Sequence, residues 1–461
     1  MKRIACFCIP AHGHTNPMLP VVSALVKRGN DVRFYSFEPF AEKIRRTGAT
    51  FVPCDRFLPA LTAREEAGLK RVSITEMTIQ DIRTTLAMDG FISSEFEAFR
   101  PDVIYTDAVC FWGKLTAWKH GIPMVVSTST FAFNQLSSGY MKQSPAEMAD
   151  LILGLGKVSR ALKELEPLGY RVRSPIALVQ NDNDTDTVVY TSRAFQPFSE
   201  SFSDHYLFAG PSVFSTAKPD KSGARPLVYI SMGTVINDRP DFYKRCVEAF
   251  GGGDMDVIIS CGERPAEKVP GPLPENIRVY ERVDQPDVLA RASAFITPCG
   301  MNSVSESLYM ATPMALYPQT GEQRAVARRV AETGAGVMLR DDSVEGLRRA
   351  IRTLLDSPEY ARAAKARSDD FRACPGPDGA AAFIERAPHT AAENPLLKAL
   401  NRKNGVARLA YWLVAIVALV FVGVLAGWKY AWIVGVAAGV LAGPVCKAAQ
   451  RWNYRRLTKG R

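Results

Sequence analysis

Two histidines in one short loop are the residues of this chain best suited to moving a proton. His12 and His14 flank Gly13 directly after an apolar run, Ile4–Ile9, and the whole sequence holds only five histidines. Open α/β sheets present ligands at the carboxyl ends of their strands, and imidazole exchanges protons readily near neutral pH. The loop therefore predicts a site at which a proton is removed from a bound molecule.

The segments that must position this loop follow a β-α-β-α-β pattern. We expect a helix that opens at Pro17, with Thr15 or Asn16 as its cap, because apolar residues then recur at helical spacing. Further extended and helical segments alternate after it, as in a doubly wound sheet. A dinucleotide-binding turn would carry Gly-x-Gly-x-x-Gly where this loop carries its histidines, so NAD binding is disfavoured.

A second set of alternating strands and helices follows a stretch rich in Pro, Gly, Ser and Lys. The length suits two domains and an additional segment. The fold class predicted is α/β, with two doubly wound Rossmann-like domains facing a cleft and a C-terminal α-helical hairpin. The predicted divisions are residues 1–212, the first domain; 213–225, a linker; 226–390, the second domain; 391–408, a juxtamembrane segment; 409–446, a transmembrane hairpin; and 447–461, a basic tail. The strands predicted in the second domain are Leu227–Ile230, Val257–Ser260, Ile277–Tyr280, Ala294–Thr297, Met314–Tyr317 and Val337–Leu339.

The positive charge of the chain belongs to its C-terminal tail. Of the formal charge of +10, eleven Lys or Arg and no acidic residue lie within residues 394–461, which leaves −1 for the rest (10 minus 11). A nucleic-acid partner is therefore not expected. The stretches Leu409–Gly427 and Tyr430–Cys446 are apolar, and a bilayer core needs about 20 helical residues.

Cationic residues flank both outer ends of these two stretches. By the positive-inside rule both ends face the cytoplasm, which predicts a two-helix anchor in the cell membrane with the catalytic domains cytoplasmic and membrane lipid as a partner. A buried hairpin of a soluble dimer and a hairpin lying on the membrane surface remain as alternatives.

No other segment of the sequence predicts a targeting or metal-binding function. The amino-terminal apolar run is interrupted before a cleavage segment appears, so no signal peptide is expected. The nine scattered cysteines fit a reducing compartment. Asp182–Asp186 resembles the start of a calcium loop, but the position of the required glutamate holds Arg193, so we predict no metal site.

Five motifs in order give the chain before the tail a resemblance to a known family. They are Ala11-His12-Gly13-His14-Thr15-Asn16-Pro17, Ser231-Met232-Gly233-Thr234, Val283-Asp284-Gln285-Pro286, ITPCGMNSVSESL at 296–308, and Pro318-Gln319-Thr320-Gly321-Glu322-Gln323. They resemble those of the nucleotide-sugar-dependent glycosyltransferases of the macrolide and plant secondary-metabolite type. The resemblance implies a GT-B fold, an inverting reaction, no obligatory metal and no cofactor, with a UDP-sugar as co-substrate.

The resemblance also assigns roles to residues. His14 is the base that takes the acceptor's hydroxyl proton, and Asp107 orients it, as in a hydrolase triad. The nucleotide diphosphate would lie at a helix N-terminus, where backbone N–H groups and the helix dipole favour negative charge. Glu306 matches the ribose-binding acid, and Glu322 with Gln323 matches the pair that holds the sugar hydroxyls. The donor-binding residues implied are Gly233, Thr234, Gln285, Gly300, Asn302, Ser303, Glu306, Glu322 and Gln323.

Two departures from the family pattern affect the donor site. Pro298 stands where the family has a histidine that contacts the diphosphate. No aromatic residue that could stack on the nucleobase of the donor is evident near Val283. The predicted function is transfer of a hexose from a UDP-sugar to a hydroxyl of a lipophilic acceptor, a lipid, sterol, polyprenoid or natural product. The alternatives are a catalytically silent GT-B membrane binding protein and a nucleotide-sugar epimerase.

Overall fold

Two parallel sheets organise the chain. The computed structural model describes residues 1–58, 73–134, 136–141, 145–172, 178, 184–213, 215, 217–233, 237–390, 395–426 and 428–458. The first sheet has seven strands in the order β3-β2-β1-β4-β5-β6-β7. These strands are β1 Arg3–Phe7, β2 Asp31–Ser36, β3 Thr50–Pro53, β4 Val103–Asp107, β5 Met124–Thr128, β6 Thr187–Val189 and β7 Tyr206–Phe208. All of the pairings are parallel, as the alternating sequence pattern predicts.

The second sheet has six parallel strands in the order β10-β9-β8-β11-β12-β13. Its strands are β8 Leu227–Ser231, β9 Asp256–Ser260, β10 Ile277–Tyr280, β11 Ala294–Thr297, β12 Met314–Leu316 and β13 Gly336–Met338. Each strand predicted in this half is present, with ends displaced by at most one residue. Apolar runs that are buried on both faces are typical of parallel strands, which explains why these segments were recognisable.

Helices cover both sheets. They are α1 His12–Lys27, α2 Ala41–Arg46, α3 Ile74–Phe99, α4 Phe111–His120, α5 Pro145–Lys163, α6 Pro240–Phe250, α7 Pro265–Lys268, α8 Gln285–Arg291, α9 Met301–Tyr309, α10 Gly321–Glu332, α11 Val344–Asp356, α12 Pro358–Arg372, α13 Gly376–Glu385, α14 Pro395–Ala426 and α15 Trp428–Thr458. Short 3₁₀ turns lie at Glu38–Phe40, Asp55–Phe57, Ser137–Gly139, Glu166–Leu168 and Ser199–Ser201.

The start of α1 corrects the prediction. The helix begins at His12, five residues before the expected Pro17, and Ala11 occupies the cap position without a side-chain cap. Neither Thr15 nor Asn16 caps the helix. The two histidines therefore lie in the first helical turn and not in a loop, so backbone N–H groups of that turn face the same end of the sheet as His14.

Helix α13 returns the chain to the first domain. It lies within the segment 226–390 that was predicted as the second domain, but its apolar residues pack in the core of the first sheet. Ala381 and Ile384 are fully buried there, beside residues of α1 and β1. The chain therefore crosses between the domains twice, once through residues 213–225 and once before α13.

The C-terminal helices α14 and α15 pack against each other as an antiparallel hairpin. Tyr411 Oη donates a 2.6 Å hydrogen bond to the carbonyl of Ala438, and Asn453 Nδ2 donates to Asn404 Oδ1 at 3.0 Å. Among the described residues, one helical segment, Lys398–Val422, is long and apolar enough to cross a membrane. A helical hairpin is thus present, and within the residues searched the length and composition expected of a spanning helix are met by a segment of α14.

Candidate active site at the cleft between the domains

His14 and Asp107 meet because β1 and β4 are neighbours in the first sheet. The two strands pair in parallel with Phe7 opposite Thr106, so the residues that follow them emerge side by side. His14 Nδ1 lies 3.0 Å from Asp107 Oδ2. The other carboxylate oxygen accepts a 3.0 Å hydrogen bond from the backbone N–H of Val109, which fixes its orientation. The two residues that the family resemblance pairs as base and orienting carboxylate are therefore in contact in the structure.

The protonation of His14 depends on its surroundings. Asp107 is 1% exposed, and the side chain of His14 is 30% exposed toward the cleft. Burial favours the neutral imidazole and so lowers the pKa of His14. The charge and the hydrogen bond of the Asp107 carboxylate raise that pKa, as does the charge of Glu322, and the net result is a pKa above the usual value. Since a carboxylate only accepts hydrogen bonds, Nδ1 carries a proton and the lone pair of the neutral ring is on Nε2.

Two polar residues near this pair were not predicted. Ser129 Oγ lies 3.1 Å from His14 Nδ1, and it follows β5, the strand next to β4. Lys114 on α4 is 1% exposed and donates a 2.8 Å hydrogen bond to the carbonyl of Leu178. Burial lowers the pKa of Lys114 to about 8, and the Asp107 carboxylate opposes that shift. Ser129 could have been found by its position at the carboxyl end of a strand, whereas nothing in the sequence distinguishes Lys114 from a surface lysine.

The N-terminus of α9 faces open space on the donor side of the cleft. Gly300 is the cap residue of this helix, no side chain caps it, and apart from its chain neighbours no described atom lies within 4 Å of where a Cβ on Gly300 would be. The first backbone N–H groups of the helix are consequently available to an anion. Pro298 is buried beside this turn, and its Cγ lies 3.6 Å from the position of a Cβ on Gly233.

A hydrogen-bonded group of side chains surrounds the next turn of α9. Gln285 Nε2 donates to Glu306 Oε2 at 2.6 Å and to Ser303 Oγ at 3.1 Å. Tyr229 Oη donates to Gln285 Oε1 at 3.2 Å, which fixes the amide. Burial raises the pKa of Glu306 to about 7, against the Gln285 hydrogen bond and with a small addition from Asp284. Three residues predicted to bind the donor are thus brought together.

The predicted sugar-binding pair opens helix α10. Glu322 is exposed and close enough to raise the pKa of His14. Gln323 forms a capping box with Thr320: Gln323 Oε1 accepts hydrogen bonds from the backbone N–H groups of Gln319 at 2.8 Å and Thr320 at 3.1 Å. Its carbonyl oxygen is therefore engaged in holding the turn, and its Nε2 group is the part that faces no partner among the described residues.

Asn302 connects the two halves of the site. Its Nδ2 donates a 2.8 Å hydrogen bond to the backbone carbonyl of Gly13. In α1 this carbonyl would normally accept from the N–H of residue 17, but Pro17 has no N–H. The carbonyl is therefore left to a partner outside the helix, and the donor-side helix supplies one.

Some predicted features lie apart from this arrangement or outside the described residues. The ring of His12 packs against Phe40 with 4.9 Å between centroids, and burial with the cations Lys43 and Arg282 lowers the pKa of His12. Thr234, predicted to bind the donor, lies outside the described residues. Within the part of the chain that the structure describes, no group of three or more metal-binding side chains is found.

The chain is similar in sequence to known glycosyltransferases. The model of the family described as UDP-glucoronosyl and UDP-glucosyl transferase matches residues 215–370. The chain is 31% identical over 404 residues to demethyllactenocin mycarosyltransferase of Streptomyces fradiae, covering 84% of this chain and 86% of the relative. It is 30% identical over 400 residues to the NDP-glycosyltransferase YjiC of Bacillus licheniformis, covering 83% and 97%.

Solved structures give the same architecture. The glycotransferase of kitacinnamycin superposes with a TM-score of 0.69 at 25% identity, covering 84% of this chain and 98% of that one. The glycosyltransferase VinC in complex with dTDP shares the fold, with a TM-score of 0.58 at 20% identity and coverage of 84% and 100%. The predicted pair of facing Rossmann-like domains is confirmed, and this chain belongs to the UDP-glycosyltransferase family, enzymes that transfer a sugar from a nucleotide-sugar donor.

Proposed function

We propose that the protein is an inverting, metal-independent hexosyltransferase that uses a UDP-sugar and a hydroxyl of a lipophilic acceptor. The observation that carries the proposal is the His14–Asp107 pair, joined at 3.0 Å and facing the donor helix across the cleft. His14 is the base and Asp107 the residue that orients it. Because Asp107 engages Nδ1, the basic Nε2 is left for the acceptor's hydroxyl.

The reaction follows from this placement. The acceptor oxygen attacks the anomeric carbon of the sugar while His14 Nε2 takes its proton. The bond to the UDP oxygen breaks with its electron pair, and the nucleotide diphosphate leaves. A single displacement inverts the configuration of that carbon. Asp107 stabilises the imidazolium that forms, which is the same effect that raises the pKa of His14 in the free protein.

The donor side of the cleft supports binding without a metal ion. The uncapped turn that begins at Gly300 offers N–H groups to the diphosphate, and Asn302 and Ser303 add polar side chains. Glu306, held by Gln285, is placed to accept hydrogen bonds from ribose hydroxyls. Glu322 and the Nε2 group of Gln323 are the groups assigned to the sugar hydroxyls.

The helical hairpin supports an acceptor that resides in a membrane. Within the segment Lys398–Val422, the apolar side chains of Leu409, Val414, Val417 and Phe421 are each more than 60% exposed, although one face of the helix packs against α15. We propose that the hairpin anchors the enzyme in the cell membrane with the catalytic domains cytoplasmic. A lipid, sterol, polyprenoid or lipophilic natural product would be concentrated at that surface.

The two alternatives differ in their support. A catalytically silent binding protein is disfavoured because the relatives are named as transferases and because both His14 and Asp107 are present and in contact. No feature of the described residues favours an epimerase. An epimerase would convert the sugar of the donor in the absence of any acceptor, so the two activities are separable by one control incubation.

The test of the proposal is product analysis with the full-length protein in detergent. Lipid extracts are incubated with a panel of nucleotide sugars, and mass spectrometry identifies new hexosylated lipids. Proton NMR of a product should show the anomeric configuration opposite to that of the donor, and a chelator should leave the rate unchanged. Retained configuration would refute the inverting mechanism, and loss of activity restored by a divalent ion would refute metal independence.

The membrane location has its own test. Spanning helices resist both high-salt and alkaline washing of membranes, whereas electrostatically bound proteins are released. We expect the full-length protein to stay with the membranes in both washes. Release by salt alone would contradict the spanning hairpin and leave a surface-bound element in its place.

A further inference from the structure

Helix α5 of the first domain exposes an apolar surface. Ile152 is 60% exposed and Leu153 is 79% exposed, while Val158 and Leu162 on the other face pack into a cluster with residues of α3 and α4. Some of the exposed residues of α5 recur at helical spacing along one side, and we call this set the α5 stripe: Ala149, Ile152, Leu153, Gly156, Arg160 and Lys163. The stripe is apolar in its first half and cationic in its second. This division is typical of a helix that lies at a membrane surface.

The hairpin docks on the chain segment that leads into α5. Arg451 Nη2 on α15 donates a 3.0 Å hydrogen bond to the carbonyl of Gly139. The ring of Tyr454 meets Phe198 edge-to-face with 5.0 Å between centroids, and its hydroxyl bonds Glu200. The C-terminal end of α15 is thus held against the first domain by several contacts.

These contacts fix where the first domain lies relative to the proposed anchor. Arg451 is one helical turn, about 5.4–6 Å, beyond Lys447, which ends the apolar stretch of α15. On α14, Asn404 lies beside Asn453 one turn before Arg408, so both helices leave the apolar region at the same level. Gly139 therefore lies at the level of the lipid headgroups when the hairpin spans.

Helix α5 follows Gly139 after a short connection. Five residues lie between Gly139 and Pro145, so the six Cα–Cα steps span at most about 21 Å. Ile152 and Leu153, in the apolar half of the stripe, follow Gly139 more closely along the chain than the cationic half does. The charges agree with this placement, because Arg160 and Lys163 are exposed beyond it and anionic headgroups attract such cations. Asp150, by contrast, accepts hydrogen bonds from Ser73 and Thr75 within the protein.

We propose that the α5 stripe is a second membrane contact, with the side chains of Ile152 and Leu153 inserted among the lipids beside the hairpin. The inference rests on the hairpin anchor proposed above. A hairpin docked on the first domain can still tilt within the bilayer together with that domain, whereas a second membrane contact in the same domain fixes the tilt. The stripe thereby presents the acceptor side of the cleft to the membrane.

The experiment uses the full-length protein in vesicles of phosphatidylcholine and phosphatidylglycerol that contain a lipid with a photoreactive group in its acyl chain. After irradiation, mass spectrometry maps the labelled peptides. In the wild-type protein we expect labelling of the hairpin and of the peptide that carries Ile152 and Leu153. In the double variant Ile152→Asp/Leu153→Asp, labelling of that peptide should fall at least about tenfold, since two apolar side chains proposed to insert into the lipid are replaced by charges.

The control variant is Met338→Asp, an exposed apolar residue on β13 of the second domain. It should leave the labelling of α5 and of the hairpin unchanged. Hairpin labelling in the double variant should stay within about twofold of wild type, because the sites are independent. A thermal shift on addition of UDP establishes that each variant is folded.

The outcomes separate this inference from the anchor on which it rests. An unlabelled hairpin in the wild-type protein refutes the anchor. A labelled hairpin with an unlabelled α5 overturns the second contact alone. If cross-linking joins two copies through α5, the stripe is an interface with a second copy. If the double variant has a raised KM for a detergent-dissolved acceptor and unchanged labelling, the stripe belongs to the acceptor site in the cleft. Either result overturns the proposal.

Discussion

The side-chain amide of Asn302 hydrogen-bonds the backbone carbonyl of Gly13, and this bond joins the first turn of α9 to the first turn of α1. Pro17 makes it available, because a proline at that position leaves the Gly13 carbonyl without its helical donor. The turn that carries His14, the proposed base, and the turn proposed to bind the diphosphate are thus joined by a direct hydrogen bond.

We expect Asn302→Leu to lower kcat/KM for the donor by about 2–10-fold, the value of one neutral hydrogen bond of 0.5–1.5 kcal/mol. Steady-state kinetics and calorimetry with UDP measure it. If the bond positions α1, kcat should fall by more than UDP affinity does. Ser303→Ala is the control, since Ser303 does not contact α1 in the structure; a loss confined to UDP affinity in Asn302→Leu would show that the residue only binds the donor.

For the base, His14→Ala should lower turnover by about 10²–10⁴-fold, as expected for a positioned general base, with UDP affinity near wild type. His12→Ala is the matched control, because its ring packs against Phe40 and has no contact with Asp107 in the structure. Single-turnover rates compare the two. Equal losses would contradict the assignment of the base to His14.

The pH dependence of kcat/KM should report the raised pKa of His14. The base acts when neutral, so activity falls as the pH drops through that pKa, above the usual range of histidine. Glu322 helps to raise it, and Glu322→Gln should therefore move the acid limb of the profile to lower pH. Glu345→Gln, at an exposed site on α11, should leave the limb in place. A shift in the opposite direction would show that Glu322 does not act on His14 through its charge.

Binding of UDP should weaken as the pH falls through about 7, because burial raises the pKa of Glu306 to about 7 and only the ionised carboxylate accepts hydrogen bonds from both ribose hydroxyls. A charged hydrogen bond of about 1.5–3 kcal/mol corresponds to roughly a tenfold effect or more. The UDP affinity is measured by calorimetry from about pH 6 to about pH 8, roughly one unit to either side of the pKa of Glu306. In Glu306→Gln this component should disappear, and its persistence would place the titrating group elsewhere.

Replacement of Pro298 tests the donor turn. Pro298→His should tighten UDP binding by about one to two decades if the turn keeps the family geometry, because it adds a charge-assisted contact of about 1.5–3 kcal/mol. Pro298→Ala separates the loss of the buried ring from the gain of the imidazole. Unchanged or weaker UDP binding in a folded Pro298→His protein would remove the basis for the donor roles of Asn302 and Ser303.

The sequence was informative where topology alone decides the geometry. Once β1 and β4 are recognised as strands of a doubly wound sheet, their adjacency follows, and with it the meeting of His14 and Asp107. The strands of the second sheet were equally clear because buried parallel strands are apolar throughout. The short strand β7 was not predicted, since three residues at a sheet edge leave too little pattern to recognise.

Contacts that depend on three-dimensional detail were not predictable. The start of α1 was placed too late because proline is most frequent in the first turn of a helix, whereas Pro17 lies in the second. The bond between Asn302 and Gly13 and the burial of Lys114 depend on how the two domains and the helices pack. For Gln323 the sequence analysis predicts only contact with the sugar hydroxyls, although the Thr320-x-x-Gln323 spacing also specifies a capping box.

The return of α13 to the first sheet determines which half of the enzyme can move. The chain re-enters the first domain at α13 before the hairpin begins, so the second domain is joined to the first by two connecting segments and the hairpin follows the first domain. In the proposed anchored enzyme, the second domain would therefore be the part that moves when the cleft opens and closes. The nucleotide product would then leave from the moving domain, while the proposed acceptor side of the cleft keeps its position at the membrane.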